Sequence, residues 1–218
     1  MKNLVIAMDG PAGAGKSTVA QLVAKKLQYT YIDTGAMYRA VAWKTLQRKA
    51  PVTDELICEV VRDITVDLQY ADGRTRVFAD GQEITKEIRT PEVTAIVSQV
   101  ARLAPVRQKM VELQRQMAGR GSVVMDGRDI ATNVLPNADI KIFLTASIEE
   151  RARRRWQEMK EKGYDVDLKQ LQADIAARDK ADSEREISPL VQAADATLLD
   201  TTGMGISEVT AAILDMCR

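Results

Sequence analysis

Gly10-Pro11-Ala12-Gly13-Ala14-Gly15-Lys16-Ser17 is the stretch whose reading decides the fold. Its spacing, G-x-x-x-x-G-K-[ST], is the phosphate-binding P-loop pattern. A chain of this length matches that pattern by accident on the order of one time in a hundred, and the flanking sequence argues further against accident. Leu4-Val5-Ile6-Ala7-Met8 is an apolar run of strand length, and Val19, Leu22, Val23 and Leu27 follow at helical spacing. Glycines let the backbone approach an anion closely, and the amides of the loop and of the first helical turn point at it. Gly10, Pro11, Ala12, Gly13, Ala14, Gly15, Lys16, Ser17 and Thr18 are therefore read as a nucleoside triphosphate site. Lys16 is expected to be solvated and to reach the β- and γ-phosphates, and the Ser17 hydroxyl to ligate Mg²⁺.

The 218 residues suffice for one large domain, or for a core with insertions. Lysine plus arginine and aspartate plus glutamate both number 31, a balance that speaks against a general nucleic-acid or membrane surface. Histidine is absent, which removes Ser-His-Asp triads, Cys-His pairs and histidine metal sites. Phosphoryl transfer suits the remaining inventory, because it runs on positioning and on charge stabilisation. The two cysteines, Cys58 and Cys217, fit no metal spacing and are read as reduced thiols. With no signal peptide and no membrane-length apolar run, a cytoplasmic protein is expected.

Tyr29-Thr30-Tyr31-Ile32 reads as a second strand, ending in Asp33-Thr34-Gly35 before a helix from Ala36 to about Leu46. This β-α-β-α order predicts a parallel sheet. Thr53 should cap an amphipathic helix carrying Leu56, Ile57, Val60, Val61 and Ile64. The period then changes. Alternating Val66, Leu68 and Tyr70, a turn at Asp72-Gly73, an extended Thr75 to Ala79 and a second turn at Asp80-Gly81 predict a small antiparallel meander. Thr90-Pro91 and Pro105 open two helices with stripes Val93, Ile96, Val97, Val100 and Val106, Met110, Leu113, Met117. Ser98 and Arg107 lie off those stripes and read as solvated helix residues. Beyond Gly119-Arg120-Gly121, a third strand ends in Asp126-Gly127-Arg128-Asp129, and Ile140 to Leu144 is a fourth. Ser147 to Glu150 has the form of a capping box. The helix it opens carries Arg151, Arg153, Arg154 and Arg155 and ends at Lys162-Gly163. Arg151, Arg154 and Arg155 share a face, where cations repel unless an anion arrives. In the next helix the inward stripe Leu168, Leu171, Ile175 continues as Arg178, Asp182, Arg185, so charge is expected to point into a cleft. Ala196 to Leu199 is a fifth strand, and a helix from about Ser207 closes the chain.

Ligands in open α/β sheets gather at the carboxyl ends of the strands. Arg39, Arg128, Arg178 and Arg185 exceed what one triphosphate needs, so a second phosphorylated ligand should face the first. A kinase acting on a monophosphate fits, because two mutually repelling anions must be brought together. The arginine helix is the candidate for a lid that expels water.

At this point the chain resembles the bacterial cytidylate kinases, the CMP/dCMP kinases of the nucleoside monophosphate kinase superfamily. The resemblance spans essentially the whole chain. It rests on Asp9 to Ser17, on Asp33-Thr34-Gly35-Ala36-Met37-Tyr38-Arg39, on Asp126-Gly127-Arg128-Asp129, and on Arg178-Asp179 with Asp182, Arg185 and Ser188-Pro189-Leu190. It implies a P-loop NTPase-type α/β fold: a five-stranded parallel sheet flanked by helices, an inserted monophosphate-binding domain holding the meander, and a helical lid. Residues 1–34 and 119–218 would form the core, 35–118 the insert with its meander at about 65–86, and 148–166 the lid.

The same resemblance implies transfer of the γ-phosphoryl group of MgATP to CMP or dCMP, by a monomer that acts in pyrimidine nucleotide metabolism and binds no nucleic acid and no membrane. Arg39 and Arg128 look like the clamp on the CMP phosphate, with Arg185 close by, and Arg178 and Asp182 like sugar contacts. Thr34, Ser98, Arg107 and Asp129 look like the cytosine pocket. Several relatives carry serine where Thr34 stands; the hydroxyl is kept. Lys16, Arg128, Arg151 and Arg154 are the expected catalytic cations, and Asp33 or Asp126 would join Ser17 at Mg²⁺ through water. A kinase for another monophosphate or small metabolite stays open. A GTPase switch would carry Asn-Lys-x-Asp after a strand, and the sequence has none.

Overall fold

The computed structural model describes residues 3–71, 73–119, 121–161 and 163–218. Asp72 of the first expected turn, Arg120, and Lys162 at the end of the arginine helix lie outside the described residues. The chain opens with β1 (Val5–Asp9), α1 (Lys16–Leu27), β2 (Thr30–Asp33) and α2 (Thr34–Leu46). The last begins earlier than the apolar pattern implied, because the Asp33 side chain caps it, accepting from the Ala36 amide at 2.9 Å.

The inserted segment then runs through α3 (Asp54–Asp63), β3 (Val66–Ala71), β4 (Arg74–Ala79), β5 (Gln82–Glu83), a 3₁₀ turn at Glu87–Arg89, α4 (Pro91–Arg102) and α5 (Ala104–Ala118). Thr53 and Thr90 cap α3 and α4 as their positions predicted, accepting from Leu56 and Val93. The meander is the antiparallel sheet β3-β4-β5. Ile57, Val60, Val77, Ile84, Ile88, Val93, Val100, Val106 and Met110 form one buried cluster with Met37, Ala40 and Val41 of α2. Each large aliphatic side chain buried this way contributes roughly 1.5–3 kcal/mol. The insert thus has a core of its own, joined to α2.

The chain returns through β6 (Val123–Asp126), a π-helical turn at Ile130–Val134, β7 (Ile140–Thr145), α6 (Ile148–Glu161), α7 (Leu168–Glu184), β8 (Thr197–Asp200) and α8 (Ile206–Met216). The main sheet has the order β2-β6-β1-β7-β8, and all its pairs are parallel. Its central strand is covered on both faces, with Ile6, Ala7 and Met8 fully buried. Parallel register brings the acidic strand ends together: Asp33 lies opposite Asp126, and Met8, just before Asp9, also lies opposite Asp126.

Two local expectations change. Ser147 accepts from the Glu150 amide at 3.2 Å, but the reciprocal half of the capping box is missing. The Ser147 amide donates instead to Thr202, and Glu150 turns its carboxylate to Arg153 and Arg154. The apolar stripe of α7 is covered only from its middle onward: Ile175 is buried, whereas Leu168 is exposed.

Candidate active site

The P-loop joins β1 to α1 around a backbone path that only glycine allows. At Gly10, φ is +145° and a Cβ would sit 1.9 Å from the Leu144 carbonyl oxygen. No side chain caps α1, so its first amides stay available to an anion. Lys16 departs from expectation: it is buried, not solvated. Its Nζ donates to the carbonyls of Gly10 and Pro11, each at 2.7 Å. Burial first, and then the Arg128 charge, hold its pKa well below the ordinary lysine value, against the pull of Asp126 and Asp9. A triphosphate would supply the countercharge that this ammonium lacks.

Asp126 anchors the base of the loop. Its carboxylate accepts from Ser17 Oγ at 2.9 Å and Tyr31 OH at 2.7 Å. Burial, and then the Asp33 carboxylate, raise its pKa to about 6. A hydroxyl and two carboxylates that repel one another form an oxygen-only donor set, which fits Mg²⁺. The neighbouring Asp9 also sits at about 6. Burial raises it, while the amides of Ala131 and Ile130, both donating at 2.8 Å, lower it. Asp9 thereby shapes the π turn that follows Asp129.

Across from the loop stand the other cations. Arg39 donates to Thr94 Oγ1 at 2.8 Å; its pKa is lowered to about 10 by burial, against Asp33 and with Arg89, Arg155 and Arg128 adding repulsion. Arg178 falls to about 9 through burial, then Arg128 and Arg39, and its buried Nε has no hydrogen-bond partner among the described residues. Arg128 Nε bonds Asp182 at 2.9 Å, so the ion pair of Asp182 runs across to Arg128 and not along its own helix. Gly127 is tightly confined: a Cβ there would lie 2.7 Å from both Ile130 Cδ1 and Thr34 Oγ1.

On the far side of Gly127, Arg107 and Asp129 form a buried ion pair. Asp129 also meets Arg185 Nη2 at 3.3 Å and Asn133 Nδ2 at 3.0 Å. The Arg107 guanidinium lies 5.6 Å from the centre of the Tyr38 ring. Its position off the stripe of α5 predicted a solvated residue; a carboxylate 22 positions away makes its burial tenable. Thr34 Oγ1 donates to the Asp126 carbonyl at 2.7 Å, and Ser98 is half-buried on α4.

The arginine helix is arranged differently from the expected row of unpaired cations. Arg151 is buried, donating to the carbonyls of Ala146 and Ala12, each at 2.9 Å, and to Asp179 at 2.6 Å. Arg154 bonds Glu150, Thr201 Oγ1 and the Thr201 carbonyl. Arg155 meets Glu158 at 2.8 Å, and its charge depresses the pKa values of both Arg39 and Arg178. Glu150 and Glu158 are neighbours on the same helix, whereas Ala12 of the P-loop, Asp179 of α7 and Thr201 after β8 are partners that proximity in sequence does not reveal.

Sequence reasoning gave no individual role to Asp9, Tyr31, Arg89, Thr94, Asp179 or Thr201. Arg89 of the 3₁₀ turn bonds Asp33 at 2.9 Å and ties the insert to the sheet edge. Asp9 and Asp179 stand within matched motifs and were open to discovery there. The others gave no local signal, because each acts through a partner at least 47 positions away.

The sequence as a whole matches one family. The sequence model of the cytidylate kinases matches residues 6–218. The cytidylate kinase of Desulfitobacterium hafniense is 54% identical over 216 residues, covering 99% of this chain and 93% of its own. That of Lysinibacillus sphaericus is 53% identical over 218 residues, covering 100% and 97%. Among solved structures, a gluconokinase from Sinorhizobium meliloti superposes with a TM-score of 0.50 at 16% identity, covering 98% of this chain and 90% of its own, a likeness of fold alone. The match along nearly the full length, over a P-loop sheet that faces a second cluster of arginines, places the chain in the cytidylate kinase family.

Proposed function

We propose that the protein transfers the γ-phosphoryl group of ATP to CMP or dCMP, giving ADP and CDP or dCDP. One observation carries this reading: Arg39, Arg128 and Arg178 are gathered beside the P-loop, where burial first and then neighbouring arginine charge lower the pKa values of Arg39, Arg178 and Lys16. Mutual repulsion among buried cations is the state expected of an anion site that a second phosphate would relieve.

In this reading the P-loop from Gly10 to Thr18 wraps the triphosphate, and its amides from Gly13 onward, with the Lys16 ammonium, hold the β- and γ-phosphates. Arg39 and Arg128 hold the acceptor phosphate in line, with Arg185 nearby, and Arg178 and Asp182 meet the sugar. Thr34, Ser98, Arg107 and Asp129 read the cytosine edge: a carboxylate suits the N4 amino group and a guanidinium suits the N3 and O2 acceptors. Ser17, with Asp126 and Asp33, would hold Mg²⁺, which supplies neutralisation of phosphate charge when bound. We assign Arg128, Lys16 and a cation of α6 to charge that develops in transfer. Arg155 suits that last role better than Arg151 or Arg154, since it alone of the three is held by no backbone carbonyl among the described residues and already acts on Arg39 and Arg178.

Residues 35–118, with their own core, act as the monophosphate-binding domain, and 148–166 as the lid. We place it as a monomer in the cytoplasm, whose reducing conditions suit the free thiols of Cys58 and Cys217. Among the described residues no helix is long and apolar enough to cross a membrane. The test is coupled ADP release with MgATP and each nucleoside monophosphate in turn. CMP and dCMP should give fast turnover and AMP or GMP little. Equal rates with all acceptors, or slow hydrolysis indifferent to them, would overturn the assignment.

A further inference from the structure

The two nucleotide sites share one helix. Along α7, Arg178, Asp182 and Arg185 belong to the acceptor side, while Asp179 turns to the P-loop. Its Oδ1 accepts from the Ala12 amide at 3.3 Å, and its Oδ2 accepts from Arg151 Nη1 at 2.6 Å. The same Nη1 donates back to the Ala12 carbonyl at 2.9 Å. Both polar groups of one P-loop residue are therefore held by a single ion pair. Gly13 packs next to it, against the Arg151 backbone. Arg151 is buried and anchored at the other end by the Ala146 carbonyl, so the pair cannot shift without α6 or α7 shifting.

We propose that Asp179 is a positioning residue that couples the two sites, so that a monophosphate on α7 prepares the P-loop for the triphosphate. The inference rests on the kinase reading above. A monophosphate bound to Arg178, Asp182 and Arg185 fixes α7 in its docked place. Docked α7 keeps Asp179 and Arg151 on Ala12 and holds the loop backbone in one conformation. Arg151 offsets the Asp179 charge, so the carboxylate does not repel the incoming phosphates. The triphosphate then meets a loop whose ordering cost is already met, and binds more tightly. Reciprocity requires the triphosphate to tighten the monophosphate by the same factor.

The test is a thermodynamic cycle by calorimetry on the full chain. The Kd of the non-transferable analogue AMP-PNP with Mg²⁺ is measured with and without saturating CMP, in wild type, Asp179→Ala, Asp179→Asn and Lys180→Ala. Wild type should show tightening of about fivefold or more. Asp179→Ala should reduce that factor below about twofold. Asp179→Asn, which keeps an acceptor for the Ala12 amide but loses the charge for Arg151, should fall between. Lys180, exposed and 4.0 Å from Glu184, should leave it unchanged. A purely structural role would weaken both affinities and keep their ratio. Absence of coupling in wild type, or full coupling in Asp179→Ala, overturns the proposal. Should Asp179→Ala not fold, Asp179→Asn alone decides: an undiminished factor there overturns it too. Turnover of CMP by the wild type is followed in parallel; its absence would sink the kinase reading separately.

Discussion

Replacing Asp126 by asparagine should stabilise the nucleotide-free protein at pH 8 while barely changing it in mild acid. The carboxyl is buried and its pKa stands at about 6, against an ordinary value of 3.8, through burial first and the Asp33 charge next. At about 1.4 kcal/mol per pH unit, that displacement amounts to about 3 kcal/mol. The sign follows from linkage. A group whose folded pKa is raised favours the fold below its unfolded pKa, and that contribution is lost as pH rises through the folded value. Above pH 6 the wild type therefore carries a destabilising charge that the variant lacks, and about 2 kcal/mol of the difference should develop between pH 4.5 and 8. Tyr31 OH and Ser17 Oγ both donate to this carboxylate, so asparagine leaves one donor poorly placed. That cost, about 1 kcal/mol, is independent of pH and cancels in the comparison. Urea unfolding of both proteins at the two pH values, without nucleotide or metal, gives the number. Lys16 is present in both proteins but feels the Asp126 charge, so the test is the sign of the difference and its growth with pH. A variant-minus-wild-type difference that is equal at both pH values would refute the argument. Turnover of the variant should fall by at least tenfold, because the group that strains the resting protein is one assigned to Mg²⁺.

Lys16→Ala should remove turnover by 10³-fold or more while the protein stays folded, since its two hydrogen bonds go to carbonyls of its own loop; circular dichroism and coupled ADP release check both halves. Arg39→Ala and Arg128→Ala should weaken CMP by roughly 10- to 150-fold, from the 1.5–3 kcal/mol typical of a charge-assisted bond, and ATP far less; equal losses by calorimetry would mean the sites are misassigned. Asp129→Ala or Arg107→Ala should cut kcat/KM for CMP much more than for UMP. Each also leaves a buried partner uncompensated and lowers stability by about 3–5 kcal/mol, but the ratio between substrates is independent of the folded fraction. Arg155→Ala should lower kcat more than nucleotide affinity; a raised KM with kcat intact would make it a binding residue only.

What the sequence made legible is what short-range physics controls. The P-loop, the five strands of the main sheet, the meander and the caps at Thr53 and Thr90 each follow from patterns within about a dozen residues. The register that sets Asp33 against Asp126 was legible only as a rule that strand ends share an edge. Burial of charge was where local reading failed. Lys16, Arg107 and Arg151 look like surface cations by period, and all three are buried: carbonyls of its own loop meet Lys16, and carboxylates from other elements meet Arg107 and Arg151. The π turn at Ile130–Val134 is shaped by Asp9, 121 positions earlier, and no local propensity announces it. The half-formed capping box at Ser147 has a local cause instead: Glu150 is drawn away by Arg153 and Arg154, three and four positions on.

The central claim is that the P-loop and the arginine cluster hold two nucleotides facing each other for direct transfer. A single molecule that joins adenosine and cytidine through five phosphates tests it most directly. Titrated by calorimetry, it should bind one to one, more tightly than ATP or CMP alone, and should block both from binding. Two molecules per chain, or undiminished binding of CMP in its presence, would contradict the account.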